Sequence, residues 1–251
     1  MEKEEQLFRK RVRELAELCY AKDIPAHTDF LTLNEQTIFQ NISGTLPPVR
    51  FILSGGLPAS ERKIVCFLPS YEEEPSELPY ECLRISPVNR KFAEELTHRD
   101  YLGAVMNLGI ERSVIGDIII KDQEAFVFVL KKISRYLIDS LVMIRHTSVK
   151  VSVCETASEI PEPEFEEISG TVSSLRLDNM LALAGRLSRT KAAEYIQGEK
   201  VFINGQTAQS VSRLLKEGEI LSIRGIGKFL FAYAGGQTKK GRSSVMIKKY
   251  K

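Results

Sequence analysis

The chain has 251 residues, 43% of them hydrophobic and 27% charged, with a formal net charge of +2 and four cysteines. That apolar content can build real cores and excludes wholesale disorder, and the length accommodates two or three small domains. No apolar run approaches the ~20 residues that cross a bilayer, and the mixed-charge start MEKEEQLFRKRVRE lacks the apolar stretch of a secretory signal. No membrane partner and a cytoplasmic setting are therefore expected. Cys19, Cys66, Cys82 and Cys154 form no CxxC pair and read as reduced, mostly buried thiols.

In chain order, residues 3–21 read as a helix with Leu7, Val12, Leu15, Leu18 and Cys19 on an apolar stripe. Thr32-Leu33-Asn34-Glu35 has the form of a capping box and opens a second helix towards Gln40. Runs 49–53 and 64–68 are strand-like and flank Ser54-Gly55-Gly56-Leu57-Pro58. Those glycines read as a connection, because the spacing and lysine of a phosphate-binding loop are missing. Residues 71–79, rich in Glu and Pro, read as a linker, with a first domain of residues 1–80.

Residues 81–154 alternate legibly. Strand 82–88, helix 98–108, strands 115–120 and 125–130 around Asp122-Gln123, helix 133–144 and strand 149–153 give βαββαβ, the ferredoxin-like order. Phe126 and Phe128 share one face of the third strand, where RNA-recognition sheets carry stacking rings. Packing within the core competes with that reading, and the basic-Gly-aromatic signature is incomplete. Residues 155–170 contain Pro161, Pro163 and six acids and read as an extended acidic linker.

The remaining segment, 171–251, has the most specific pattern. Leu177, Leu181 and Ala184 recur at helical spacing up to Gly185, and Ser188 stands at an N-cap position before a second short helix closed by Gly198. A strand 201–203, the turn Asn204-Gly205 and strands 220–224, 229–234 and 245–247 follow. Fifteen Lys and Arg against five acids give this segment a net +10, whereas residues 1–154 carry −2 and residues 155–168 carry −6. A field so uneven points to a polyanion, with an ordinary solvated basic face as the alternative.

Arg176-Leu177-Asp178, Ser188-Arg189, Lys200 with Val201-Phe202-Ile203-Asn204-Gly205, and Lys216-Glu217-Gly218-Glu219-Ile220 resemble the RNA-binding domain named after ribosomal protein S-four, the alpha-L motif. The resemblance implies an RNA face of Arg176, Arg186, Ser188, Arg189, Lys191 and Lys200, with Asp178 orienting an arginine. Lys228 and the basic loop Lys239, Lys240 and Arg242 extend the candidate RNA-binding set. Together with segments 98–118, 224–229 and 238–242, the pattern resembles the YlmH family of bacterial cytoplasmic proteins, historically grouped with cell-division genes. That resemblance implies an α+β protein of three small domains: N-terminal helices with a β-hairpin, a central ferredoxin-like RNA-binding domain and a C-terminal S-four-like domain. It further implies a monomeric ribosome-associated quality-control factor without cofactor, whose partners are ribosomal RNA, the large ribosomal subunit with peptidyl-tRNA, and tRNA.

The competing reading is an RNA-modifying enzyme, such as a pseudouridine synthase with its catalytic centre in the first 150 residues. Arg176-Leu177-Asp178 superficially matches the aspartate motif of such enzymes, but it opens the RNA-binding segment itself. Adenylate-forming synthetase motifs and a methyltransferase Gly-rich loop are absent from the sequence. His27, His98 and His146 lack metal-ligand spacing, so neither catalytic nor metal residues are expected.

Overall fold

A computed structural model describes residues 2–162, 164–238 and 241–250. It divides into two compact units, 1–162 and 163–251; among the described residues, the first holds two hydrophobic clusters and the second one.

The first unit begins with helix α1 (Glu2–Lys22), strand β1 (Ala26–His27), helix α2 (Leu33–Ser43) and strands β2 (Arg50–Ser54) and β3 (Ile64–Leu68). The expected capping box is present: the Thr32 hydroxyl accepts from the Glu35 N–H, and Glu35 accepts from the Thr32 N–H at 2.7 Å. The strands form an antiparallel sheet in the order β1-β3-β2, with Val12, Ala16, Phe39 and Phe67 in the core beneath it.

Strands β4 (Tyr80–Pro87), β5 (Ile115–Lys121), β6 (Glu124–Leu130), β7 (Met143–Ile144) and β8 (Thr147–Val153), with helices α3 (His98–Asn107) and α4 (Lys131–Ser140), follow. Their sheet runs β5-β6-β4-β8-β7 with every neighbour antiparallel, the ferredoxin-like order plus one edge strand. Asp122 and Gln123 both have positive φ, as a two-residue hairpin turn demands, so Lys121 and Glu124 stand opposite each other. The helix expected over 133–144 ends at Ser140, because Met143 and Ile144 turn back to pair with β8.

The boundary expected near residue 80 separates the cores only in part: Val12, Ala16, Phe39 and Phe67 form a cluster of their own, but three other buried residues before it do not. Phe30, Ile64 and Cys66 belong to the same buried cluster as Tyr80, Cys82 and Phe128. The Arg62 side chain, almost fully buried, donates to the carbonyls of Phe30 (2.7 Å), Ile115 (2.9 Å) and Arg112 (3.2 Å). Asp117 accepts the backbone N–H groups of Glu61 and Arg62 in return, and burial raises its pKa above the ordinary value. These bonds tie the N-terminal sheet to β5. Phe126 and Phe128 are buried, so they pack and do not stack on bases. Gly56 has φ +97°, and a Cβ there would lie 2.0 Å from the Phe128 ring. Only glycine lets that loop close over the phenylalanine.

The second unit contains β9 (Phe165–Val172), α5 (Leu177–Ala184), α6 (Arg189–Gln197), β10 (Val201–Ile203), β11 (Gln206–Thr207), β12 (Ile220–Ile223), β13 (Gly227–Gln237) and β14 (Ser243–Tyr250). The sheet order is β11-β10-β12-β13-β14-β9. Asn204 and Gly205 take the expected positive φ between β10 and β11. Strand β9 corrects the linker expected over 155–170: residues 165–172 pair with β14 along its whole length. Glu166 and Glu167 stand opposite Lys249 and Lys248, and Phe165 meets Tyr250 edge-on at 4.9 Å. Cross-strand charge and ring pairing thus draws acids that look solvated in sequence into the sheet. Gly170 lets α5 come close, since a Cβ there would meet Leu183 Cδ1 at 2.7 Å.

Candidate nucleic-acid interface

The basic face of the second unit is built around one buried carboxylate. Arg176 is the N-cap residue of α5, and Asp178, in its first turn, is only 7% exposed. Its Oδ1 accepts from Arg176 Nε at 3.1 Å and its Oδ2 from Arg189 Nη2 at 3.0 Å. Burial opposes ionisation of Asp178, but the two guanidinium groups outweigh it and hold the carboxyl below its ordinary value. The arginines, by contrast, keep much of their surface in solvent. Asp178 therefore fixes two cations that can still reach a phosphate. Leu177, Met180 and Leu181 in the core anchor the helix that carries it.

Ser188 caps α6 as its position predicts, its Oγ accepting from the Lys191 N–H at 3.1 Å. Lys191 Nζ donates to Glu194 at 2.9 Å on the exposed side of that helix. Arg186, at φ +52°, points elsewhere: its Nη2 donates to Glu166 of β9 at 3.1 Å. Sequence adjacency suggests that Arg186 and Arg189 act together, yet they are held by different acids. Lys200 lies two residues past the Gly198 cap of α6, with its ammonium 5.5 Å from the Tyr195 ring centroid. Lys228 lies on β13 opposite Ser222, and Arg242 Nη2 donates to the Thr171 carbonyl at 2.5 Å. Lys239 and Lys240 lie outside the described residues.

Arg224 is a cation that sequence reasoning left out of the site. Its N–H donates to the Lys200 carbonyl at 2.8 Å, and its guanidinium lies 5.7 Å from the Phe202 ring centroid. Only the strand register reveals it: Val201 pairs with Ile223, which places Lys200 beside Arg224.

Two short helices packed on a sheet, with arginines set on a buried aspartate, define an RNA-binding module of the S4 class. Residues 175–221 match the family described as "S4 domain", and residues 80–158 match "Putative RNA-binding domain in YlmH". The ribosome-associated protein quality control protein P2 of Bacillus subtilis (strain 168) is 30% identical over 228 residues, 89% of this chain and 87% of that protein. The cell division protein ylmH from Streptococcus pneumoniae has a similar fold, with a TM-score of 0.51 at 24% identity, over 63% of this chain and 95% of that one. The chain belongs to the YlmH family.

Proposed function

We propose that the chain is a non-enzymatic RNA-binding factor of ribosome-associated quality control. It binds ribosomal RNA on large subunits that carry peptidyl-tRNA, as a cytoplasmic monomer. The observation that carries this reading is the Arg176–Asp178–Arg189 bracket within a segment of net +10. The quality-control assignment is supported by the name of the Bacillus relative. Arg186, Ser188, Lys191, Lys200, Lys228 and Arg242, together with Lys239 and Lys240, extend the RNA face. The Asp178 carboxylate is bonded on both oxygens and buried, which favours a positioning role over the nucleophile of a modification enzyme.

Exchanging Arg186→Glu and Arg189→Glu together tests the reading. Reversing two charges weakens binding to large subunits and structured RNA by at least ~2 kcal/mol, about thirtyfold. Unchanged binding by a folded double variant would exclude this face. Mass spectrometry of nucleosides from tRNA and rRNA incubated with the protein tests the absence of catalysis: no new modification is expected.

A further inference from the structure

The first unit repeats the same device on a different fold. Glu124, at the start of β6, is 6% exposed. Its Oε2 accepts from Arg84 Nε at 2.9 Å and its Oε1 from Arg90 Nη2 at 2.6 Å. Both guanidinium groups remain partly in solvent. Buried, the carboxylate cannot meet a ligand itself, but it holds two cations in place.

The surroundings of this bracket suit nucleic acid. Arg84 pairs with Ser152 and Ser86 with Lys150, so Arg84 and the exposed Lys150 are diagonal neighbours on one sheet face, within ~7–8 Å of each other. The same face carries the buried Cys82 and Phe126, beside which Arg84 and Lys150 keep part of their surface in solvent. Two residues beyond Arg90, Phe92 is 75% exposed, with the Lys91 ammonium 5.9 Å from its ring centroid. A phenylalanine so open on a short, basic turn costs solvation and contributes nothing to the core. Glu159 acts on Arg84 through space, and Glu94, two residues beyond Phe92, is engaged by His146. Arg84, Arg90, Lys91 and Lys150 outnumber Glu124 and Glu159, the acids that act directly on the two arginines.

We infer that Arg84, Arg90, Phe92 and Lys150 form a second RNA site that takes an unpaired strand, stacking one base on Phe92 and seating phosphates on the two bracketed arginines and Lys150. This deepens the reading of the chain as RNA-binding and moves the aromatic contact from the buried Phe126 and Phe128 to Phe92. Stacking requires a base that is free of its helix, which selects single-stranded RNA over duplex. The bracket holds both arginines on one carboxylate, and a stacking ring accepts any base, so the site tolerates many sequences.

The test uses the full chain and fluorescence anisotropy with a labelled oligouridine of ~12 nucleotides and a blunt RNA duplex of equal length. Arg90→Glu with Phe92→Ala weakens oligouridine binding at least tenfold and changes duplex binding less than twofold. Phe92→Trp keeps oligouridine binding while Phe92→Leu loses most of it, a difference that bulk alone would not produce. Lys150→Glu, at an exposed position, gives a second loss of about fivefold if phosphate lies there. Melting temperatures of the Phe92 and Lys150 variants within 2–3 °C of the parent, as roughly expected for exposed side chains, and a native circular dichroism spectrum for the Arg90→Glu chain, in which Glu124 keeps only Arg84, verify folding. The inference is overturned if the parent does not bind oligouridine, or if the Arg90→Glu, Phe92→Ala chain binds it as tightly as the parent. It is equally overturned if that chain keeps oligouridine but loses ribosomes, because the patch would then meet a protein. Arg186→Glu with Arg189→Glu separates the two readings. If that pair abolishes oligouridine binding, the strand sits on the second unit and the inference fails. If it leaves structured-RNA binding intact, the C-terminal proposal fails while the Phe92 result stands on its own.

Discussion

Two regions of this protein solve one problem with the same part. In the second unit Asp178 holds Arg176 and Arg189; in the first, Glu124 holds Arg84 and Arg90. Each buried carboxylate limits the freedom of two long side chains before any ligand arrives, so less rotamer entropy is lost when phosphate binds. What differs is the field around them. The C-terminal bracket sits in a segment of +10, whereas residues 1–154 sum to −2. The first can draw RNA from a distance, and the second can act only on a strand already close. A shared local geometry therefore serves different roles, set by charge that lies outside the bracket.

The largest effect expected is on the scaffold of the C-terminal bracket. A fragment of residues 171–251 lacks most of β9, exposing β14 and removing the Glu166 and Glu167 partners of Lys249 and Lys248. It should lose cooperative unfolding by circular dichroism, while a fragment beginning at residue 163 melts cooperatively and binds structured RNA. Equal melting of the two fragments would remove β9 from the fold's stability.

Next in size, Asp178→Asn deprives Arg176 and Arg189 of charge-assisted bonds and should cost the 163–251 fragment about 2 kcal/mol in urea unfolding. The same exchange removes a pH dependence. Because the folded-state pKa of Asp178 is lowered, its stabilisation is present above the ordinary carboxylate pKa and is lost as pH falls through the lower folded value. The parent fragment should therefore lose melting temperature between about pH 5 and pH 3 more steeply than the Asp178→Asn fragment. Parallel curves would show that other carboxylates dominate.

Salt sharpens the comparison further. Four to six phosphate contacts on the basic face give structured-RNA binding a log–log slope of roughly −3 to −5. Three contacts at the Glu124 bracket give oligouridine a slope of only about −2. Anisotropy titrations over several salt concentrations measure both, and identical slopes would point to a single shared site. The smallest effect belongs to Lys191→Ala. Its ion pair with Glu194 is exposed and spaced i,i+3, so stability should change by less than about 0.5 kcal/mol. RNA affinity should still fall about threefold to fivefold if Lys191 meets phosphate.

Local order and local charge were legible before any coordinates. The Thr32 capping box, the Ser188 cap, the Asn204-Gly205 turn and the βαββαβ order each follow from a few neighbouring residues, and each is present in the fold. The basic character of the C-terminal segment was likewise visible in residue type, while the orienting role of Asp178 was implied by the resemblance to the S-four-like domain. Tertiary structure alone decided which acid holds which arginine. Arg186 sits two residues before Ser188 but bonds to Glu166, twenty positions back, and Arg90 meets Glu124 across thirty-four positions. It also decided that Phe165–Val172 is a strand and that Phe30, Ile64 and Cys66 join the core of the central sheet. Helix caps and tight turns are satisfied within one turn of chain, so short-range residue chemistry determines them. Strand pairing and buried carboxylates are satisfied only by groups distant in sequence, whose approach depends on the packing of everything between.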